Sequence, residues 1–322
     1  MAEPLQGHEV HTARELIRSG IEPWRGAAAA SFTRARRGTY VDSARWHQLS
    51  PLQRHQVLVI GTLDSMSSQP LLSHHAAAAV WGLPILGKWP QRIDVLVDTR
   101  QGSSGHVHRW HVPSLPEPVY VSGFAVTSAA RTVLDVVRSS SLAAGLVIAD
   151  AALRHELCTP ADLDAELAAV PGRARGLPIA RAVIAIADAG SESVGESLSR
   201  AGMYAGGLPQ PQLQVEVRDA DGLIGWSDFG WEQAVGEFDG MVKYGLTAGS
   251  PANALALEKT REDRIRRNHR IARWIWADAL TRVPMLHRLG EIGIRPDRGA
   301  QWLRSPLAHV PAAKRRRGFR AA

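Results

Sequence analysis

The sequence predicts a mixed α/β (α+β) fold in two or three domains, and three observations point to it. At 322 residues with 45% apolar content, the chain can bury a sizeable core and is longer than one core ordinarily serves. Segments with the helical spacing of apolar residues alternate with short runs of strand formers. Toward the C-terminal third, helix, hairpin, strand, helix and strand follow one another within roughly 90 residues, the order of a layered α/β unit.

Taken in order, "VHTARELIRSG" reads as a short amphipathic helix and "IEPWRGAAAAS" as a second. "FTRARRGTYV" then places Arg34, Arg36 and Arg37 in a Gly-containing hairpin of strand formers. A basic wing after a helix pair would be written this way, and so would a merely solvated hairpin. Ser50 can cap the helix "PLQRHQVLVIGTLDSM"; Ser73 can cap "SHHAAAAVWG", which Gly82 ends. The strands "RIDVLVD", "HVHRWHV" and "VYVSGFAVT" come next, before helical spacing resumes in "SAARTVLDVVRS" and "LAAGLVIADAALRHE". A Gly/Pro/Arg cluster, "VPGRARGLP", turns the chain into the helix "IARAVIAIADA". No repeat of fixed period appears.

Charge is placed unevenly. The net balance is +7, yet residues 259 to 322 hold 17 Lys or Arg against 5 Asp or Glu, leaving 21 against 26 in residues 1 to 258. A C-terminal basic surface suits a polyanion, because each neutralised phosphate releases a counterion. Lys314, Arg315, Arg316 and Arg317 concentrate that charge in a tail, where a solvated end is the bland alternative. The first residues lack the basic flank and apolar core of a signal peptide, and no apolar run approaches a bilayer span, so a cytoplasmic protein without membrane contact is expected. The single cysteine, Cys158, excludes an intrachain disulfide and a cysteine-based zinc site; it reads as a small buried residue.

Two motifs carry less than they promise. "GLPILGKW" has the spacing of a phosphate loop, but Trp89 stands where a hydroxyl would ligate magnesium, and Leu83 to Leu86 are bulky where a phosphate must approach closely. "HVHRWHV" puts His106 and His108 on one strand face, with no acidic or cysteine neighbour in sequence to complete a metal site.

In the C-terminal unit, "SESVGESLSR" starts a helix on which Glu192 and Glu196 share a face. Asp228, at the end of one strand, and Glu237, on the next, are expected to converge at one sheet edge. Such oxygen ligands clamp a hard cation, and magnesium suits them better than zinc.

The segments "RRGTYV", "LLSHHAAAAVWGLPI" and "VSGFAVTSAARTVLDVV" resemble, in order and spacing, the AbiEi-type antitoxin family of actinobacterial winged-helix proteins, over roughly residues 10 to 185. The resemblance implies a winged-helix DNA-binding domain over 1–48 and a mixed α/β domain over 49–185. It also implies DNA as partner, a cognate toxin or operon partner protein, and transcriptional autorepression. One departure is that "RGAAAASF", before the wing, has no obvious polar recognition helix.

Residues 186 to 280 resemble the PD-(D/E)XK restriction-endonuclease-like fold, in the branch related to very-short-patch repair endonucleases. The carrying residues are Glu196, Gln214, Asp228-Phe229, Glu237-Phe238-Asp239-Gly240, Asp263 with Arg264 or Arg267, and Arg273. The resemblance implies a nuclease-like domain over 186–290, followed by a basic tail over 291–322. By the family's roles, Asp228 and Glu237 bind Mg²⁺ or Mn²⁺, Glu196 completes the site with Gln214, and Lys243 stands near the attacking water. Arg264, Arg267 and Arg273 would face nucleic acid. Asp239 replaces the usual lysine two residues after the strand acid, leaving water activation to Lys243 or the metal. The expected chemistry is in-line phosphodiester hydrolysis, in phage defence, DNA processing or a toxin-antitoxin-like system. The alternative is a non-enzymatic repressor or antitoxin that binds DNA or a toxin.

Overall fold

In the computed structural model, residues 10–99, 102–240 and 251–302 are described, without the side chains of 251–258. The protein has the mixed α/β architecture that the sequence predicts. It divides into two compact units, Met1–Ser139 with Leu157–Leu177 and Ser140–Glu156 with Pro178–Ala322. Nothing in the linear sequence marks this exchange of segments.

The first unit opens with β1 (His11–Thr12) and α1 (Ala13–Arg18). His11 and Thr12 pair with Tyr40 and Thr39 in a strand, so the helix starts three residues later than the amphipathic pattern suggests. The start is fixed by a capping box: Thr12 Oγ1 accepts from the Glu15 N–H, and the Glu15 carboxylate accepts from the Thr12 N–H at 2.8 Å. The alanine-rich α2 (Gly26–Ser31) leads into β2 (Phe32–Arg36) and β3 (Thr39–Asp42), an antiparallel hairpin. Gly38 turns it at φ 83°, a conformation costly for any residue with a Cβ. The register slips between Arg34 and Arg36, a bulge that twists the hairpin. With β1 the hairpin forms a sheet of order β1-β3-β2. Asp42 then caps α3 (Ser43–Gln48), and Ser50 with Gln53 forms a capping box on α4 (Pro51–Leu63). Val10, Val41, Leu49, Val57 and Ile60 make the core between this sheet and α4. A Cβ on Gly61 would stand 2.3 Å from Thr39 Oγ1, so glycine is what lets the hairpin lie against the helix.

A second sheet follows, built from β4 (Leu71–Leu72), β5 (Ile93–Val97), β6 (Val107–His111), β7 (Val119–Val121) and β8 (Phe124–Val126). Its order is β6-β5-β4-β8-β7, with β5 parallel to β6 and β4 parallel to β8. The helix α5 (His74–Val80) lies between β4 and β5 in sequence, and α6 (Ala129–Arg138), capped by Ser128, follows β8. Val59, Leu72, Ala76, Ala77, Ile93, Val95, Val107 and Val126 form the core that α4 and α5 cover. The helix α7 (Leu142–Arg154) belongs to the second unit, whereas α8 (Pro160–Ala168), capped by Thr159 and Asp162, returns to the first.

The second unit continues through α9 (Leu177–Ile186) and α10 (Val194–Ala205) into the antiparallel strands β9 (Gln212–Asp219), β10 (Gly222–Trp231) and β11 (Ala234–Asp239). The helix α11 (Pro251–Asn268) crosses over to β12 (Arg270–Ile275), which pairs parallel to β11 at the sheet edge. Two short helices, α12 (Trp276–Thr281) and α13 (Val283–Glu291), follow. Ile265 of α11 packs on Val217, Val235 and Ile271. Phe229 stacks on Trp274, whose indole donates to Ser199 of α10 at 2.8 Å. Arg200 of α10 and Asp150 of α7 are joined at 2.6 Å with both side chains buried. Among the described residues, no helix is long and apolar enough to cross a membrane.

Candidate functional site

The helix α10 begins where Ser193 accepts from the Glu196 N–H at 3.1 Å, which puts Glu196 in the first turn with its side chain folded back over the cap. Its Oε2 accepts from the Glu192 N–H at 2.8 Å and from Gln214 Nε2 at 3.0 Å. Gln214 reaches it from an unusual backbone, φ 52° in mid-strand. The β9–β10 register sets Gln214 across from Asp228. Asp228 Oδ2 accepts from the Phe238 N–H at 2.8 Å, tying β10 to β11 beyond their last ladder pair, Phe229 with Gly236. Burial, reinforced by the nearby Asp228 charge, raises the Glu196 carboxyl from its ordinary value to about 7. The buried Glu196 and Gln214 and the half-buried Asp228 thus form one group, held between α10, β9 and β10. A Cβ on Gly195 would lie 2.0 Å from the Phe238 ring, so glycine there lets α10 approach β11.

Glu237 has a different environment. Its Oε1 accepts from Arg261 Nη2 at 2.7 Å and from Ser227 Oγ at 3.0 Å, and its Oε2 faces Arg273 Nη2 at 2.9 Å. Arg273 is its partner in the parallel β11–β12 register, and Arg261 approaches from α11, also donating to the Trp226 carbonyl at 2.9 Å. Two guanidinium groups therefore neutralise the carboxylate expected to ligate a metal. Among the described residues, no group of three or more His, Cys, Asp or Glu could hold a metal ion. Asp239 is exposed at the end of β11, and Asp263 is exposed on α11. Lys243 lies outside the described residues, as do Lys314, Arg315, Arg316 and Arg317.

The arginines expected to face nucleic acid divide in the same way. Arg264 donates to both Asp219 carboxylate oxygens, at 2.8 and 2.6 Å, and Arg267 stands 3.7 Å from Asp221. Arg34 and Arg37 are exposed on the β2–β3 hairpin, whereas Arg36 is half-buried, donates to Thr62 Oγ1 and keeps its Nε buried without a partner. Burial lowers the pKa of its guanidinium. The three line a cavity of about 420 Å³.

Sequence reading missed two groups. Arg261 carried no motif of its own, and its role follows only once α11 is laid on β11. One histidine of "HVHRWHV" does have an acidic neighbour: the parallel β5–β6 register sets Asp94 beside His108, at 3.5 Å, and His75 lies 3.5 Å from its other oxygen. Burial opposes the Asp94 charge, yet hydrogen bonds from His75 and the Trp110 indole hold its carboxyl below the usual value. His74 stacks on Trp110 at 4.0 Å, and His55 on Trp89 at 4.8 Å. His106 lies outside the strand and lines the arginine cavity. Cys158 is half-buried, and burial pushes its thiol up to about 12, well away from a reactive thiolate.

Comparison with known proteins identifies no function. No family model matches the chain. No solved structure matches it. The chain is similar to an uncharacterized protein of Mycobacterium tuberculosis strain CDC 1551, 36% identical over 111 residues, which is 34% of this chain and 41% of the relative. An uncharacterized protein of strain H37Rv of the same organism matches with the same identity and the same shares. The chain therefore spans well under half the length of these curated relatives.

Proposed function

We propose that the chain is a DNA-binding protein of the repressor or antitoxin kind, gripping phosphate groups through a winged-helix-like N-terminal part. The observation that carries this reading is the hairpin with Arg34, Arg36 and Arg37 along one cavity, where Arg36 has a buried Nε without a partner. Binding without turnover suits the second unit, because Glu237 is already neutralised by Arg261 and Arg273. The partner surface in such a system would be DNA, a cognate toxin, or both. Replacing Arg34, Arg36 and Arg37 together with alanine is expected to weaken duplex binding and to flatten the plot of log affinity against log salt by ~0.9 per lost phosphate contact. An unchanged slope removes the hairpin from the interface.

A second reading, Mg²⁺-dependent phosphodiester hydrolysis, draws on the Glu196–Asp228 group. Two carboxylates that repel one another, with Gln214 beside them, are oxygen donors of the kind a hard cation takes. Bound there, Mg²⁺ or Mn²⁺ would supply charge stabilisation at a phosphate. The discriminating experiment follows melting temperature against Mg²⁺ and Mn²⁺ and cleavage of labelled linear, nicked, mismatched and single-stranded DNA. Metal-dependent stabilisation and cleavage, both lost in Asp228→Ala, establish the second reading. Neither effect in the wild type leaves the non-catalytic one.

A further inference from the structure

The cavity beside the β2–β3 hairpin is more than a stretch of basic surface. It is an open cleft lined by four stretches of chain: the hairpin with its three arginines, α4 with Thr62, the approach to β5 with Gln91, and the approach to β6 with His106. At about 420 Å³ the space is of the size that holds a small ligand or the end of a chain. Among the described residues that line it, three are arginine and none is acidic.

Among the three cavity arginines, Arg36 is the half-buried one. Arg131, Arg200, Arg261, Arg264 and Arg273 each face a carboxylate, whereas Arg36, like Arg54 outside the cavity, has none among its contacts. Arg36 instead donates to a threonine hydroxyl and keeps a second N–H buried without a partner. A half-buried guanidinium without a carboxylate is costly in the free protein, and an anion entering the cavity would offset that cost. We propose that this cavity is a receptor for a phosphomonoester, the terminal phosphate of a nucleotide or of a nucleic-acid 5′ end.

The choice of anion follows from charge and shape. A phosphomonoester carries about 1.5 to 2 negative charges and three terminal acceptor oxygens. Three guanidinium forks match that charge and those acceptors better than they match a singly charged diester. Ala35 and Leu58 supply an apolar wall for the sugar or base. The inference deepens the DNA-binding reading, since it uses the same hairpin, but it requires only the terminal phosphate.

The test uses the full chain and a short labelled duplex prepared with 5′-phosphates or with 5′-hydroxyls, together with adenosine 5′-monophosphate and adenosine as competitors. The phosphorylated duplex is expected to bind on the order of tenfold more tightly, and the monophosphate, unlike adenosine, to compete. Arg36→Gln should bring the ratio between the two duplexes toward one, while Arg36→Lys retains part of it. Melting curves of both variants establish that they fold. Competition by the monophosphate with no preference for phosphorylated ends assigns the cavity to free nucleotides and sustains the proposal. Duplex binding that ignores the end chemistry, with no competition by the monophosphate, overturns it and leaves the DNA-binding reading standing. Failure of all duplex binding, with the monophosphate still raising the melting temperature, has the opposite meaning: DNA binding falls and the phosphate receptor remains.

Discussion

Arg200→Met is expected to destabilise the second unit by about 3 to 5 kcal/mol, the range for breaking a buried ion pair from one side. Arg200 is 1% exposed and Asp150 not at all, and their contact is 2.6 Å. Most of the rest of the two groups is also engaged, although Arg200 Nε is buried without a partner. Arg200 Nη2 donates to the Ile186 carbonyl at 2.5 Å, and Asp150 Oδ1 accepts from the Asp188 N–H at 2.8 Å. Burial raises the Asp150 carboxyl above its ordinary value even with Arg200 pulling it down. Without the arginine, the acid must take up a proton or remain an uncompensated charge. Replacing both, as Arg200→Met with Asp150→Leu, is expected to recover much of the loss, because the desolvation of two ions is removed as well. Denaturant midpoints of the two single variants and the double variant measure the coupling. Equal losses in the single and double variants would show that volume, not charge, sets the cost.

Acidification is expected to destabilise the first unit between pH 6.5 and about 4. Burial, helped by His75, lowers the His55 pKa to about 4, and burial lowers His74 to about 3, with the neighbouring Asp94 opposing it. Both are held neutral in the folded chain at pH values where the unfolded chain binds protons. Their contribution is therefore present above the unfolded pKa of ~6.5 and lost as pH falls through the folded values, about 3 kcal/mol for His55 alone. Asp135 acts in the opposite sense: burial raises it to about 6 against the pull of Arg131, so its contribution is lost as pH rises through 6. The clean readout is a difference. His55→Phe keeps an aromatic ring against Trp89 and should flatten the fall in melting temperature between pH 6.5 and 4 relative to the wild type. Parallel curves would show that His55 is accessible to protons in the folded state. Glu196, raised to about 7 in the second unit, has the reverse dependence, present below the unfolded pKa and lost as pH rises through 7.

Much of the fold is written locally. Ser50 with Gln53 and Thr159 with Asp162 fix helix starts through contacts three residues apart, and Gly38 fixes the hairpin turn. Ser50 and the Gly-containing hairpin were legible for that reason, as were the long helices with clear periodicity. Among helices of six to nine residues, too short to show a clear period, α1, α2 and α5 were legible, whereas α3, α8, α12 and α13 were not. The candidate site was legible in its residues and not in its pairings. Glu196, Gln214 and Asp228 come together as the motif order suggests. The partners of Glu237 depend on Arg261 and Arg273, 24 and 36 positions away, and on the parallel placement of β12 beside β11. Likewise, Asp94 meets His108 only through strand register, which no residue in "HVHRWHV" announces.

The exchange of α7 and α8 between the units has a consequence for synthesis. When the ribosome has delivered Arg154, α7 already carries Leu146, Ile148 and Asp150, all of them buried in the finished protein. The arginine that answers Asp150 lies 50 positions after it and has not yet been made. The first unit, for its part, is complete only once α8 has followed, so neither unit can close before the other has begun. A nascent chain halted between residues 156 and 199 would expose an apolar helix with a buried-type acid on it, a substrate for chaperones rather than a finished module. Fragments cut at a single point between the units inherit the same defect, and a separable first unit requires a linker between Ser139 and Leu157 in place of α7, which is about 20 Å long.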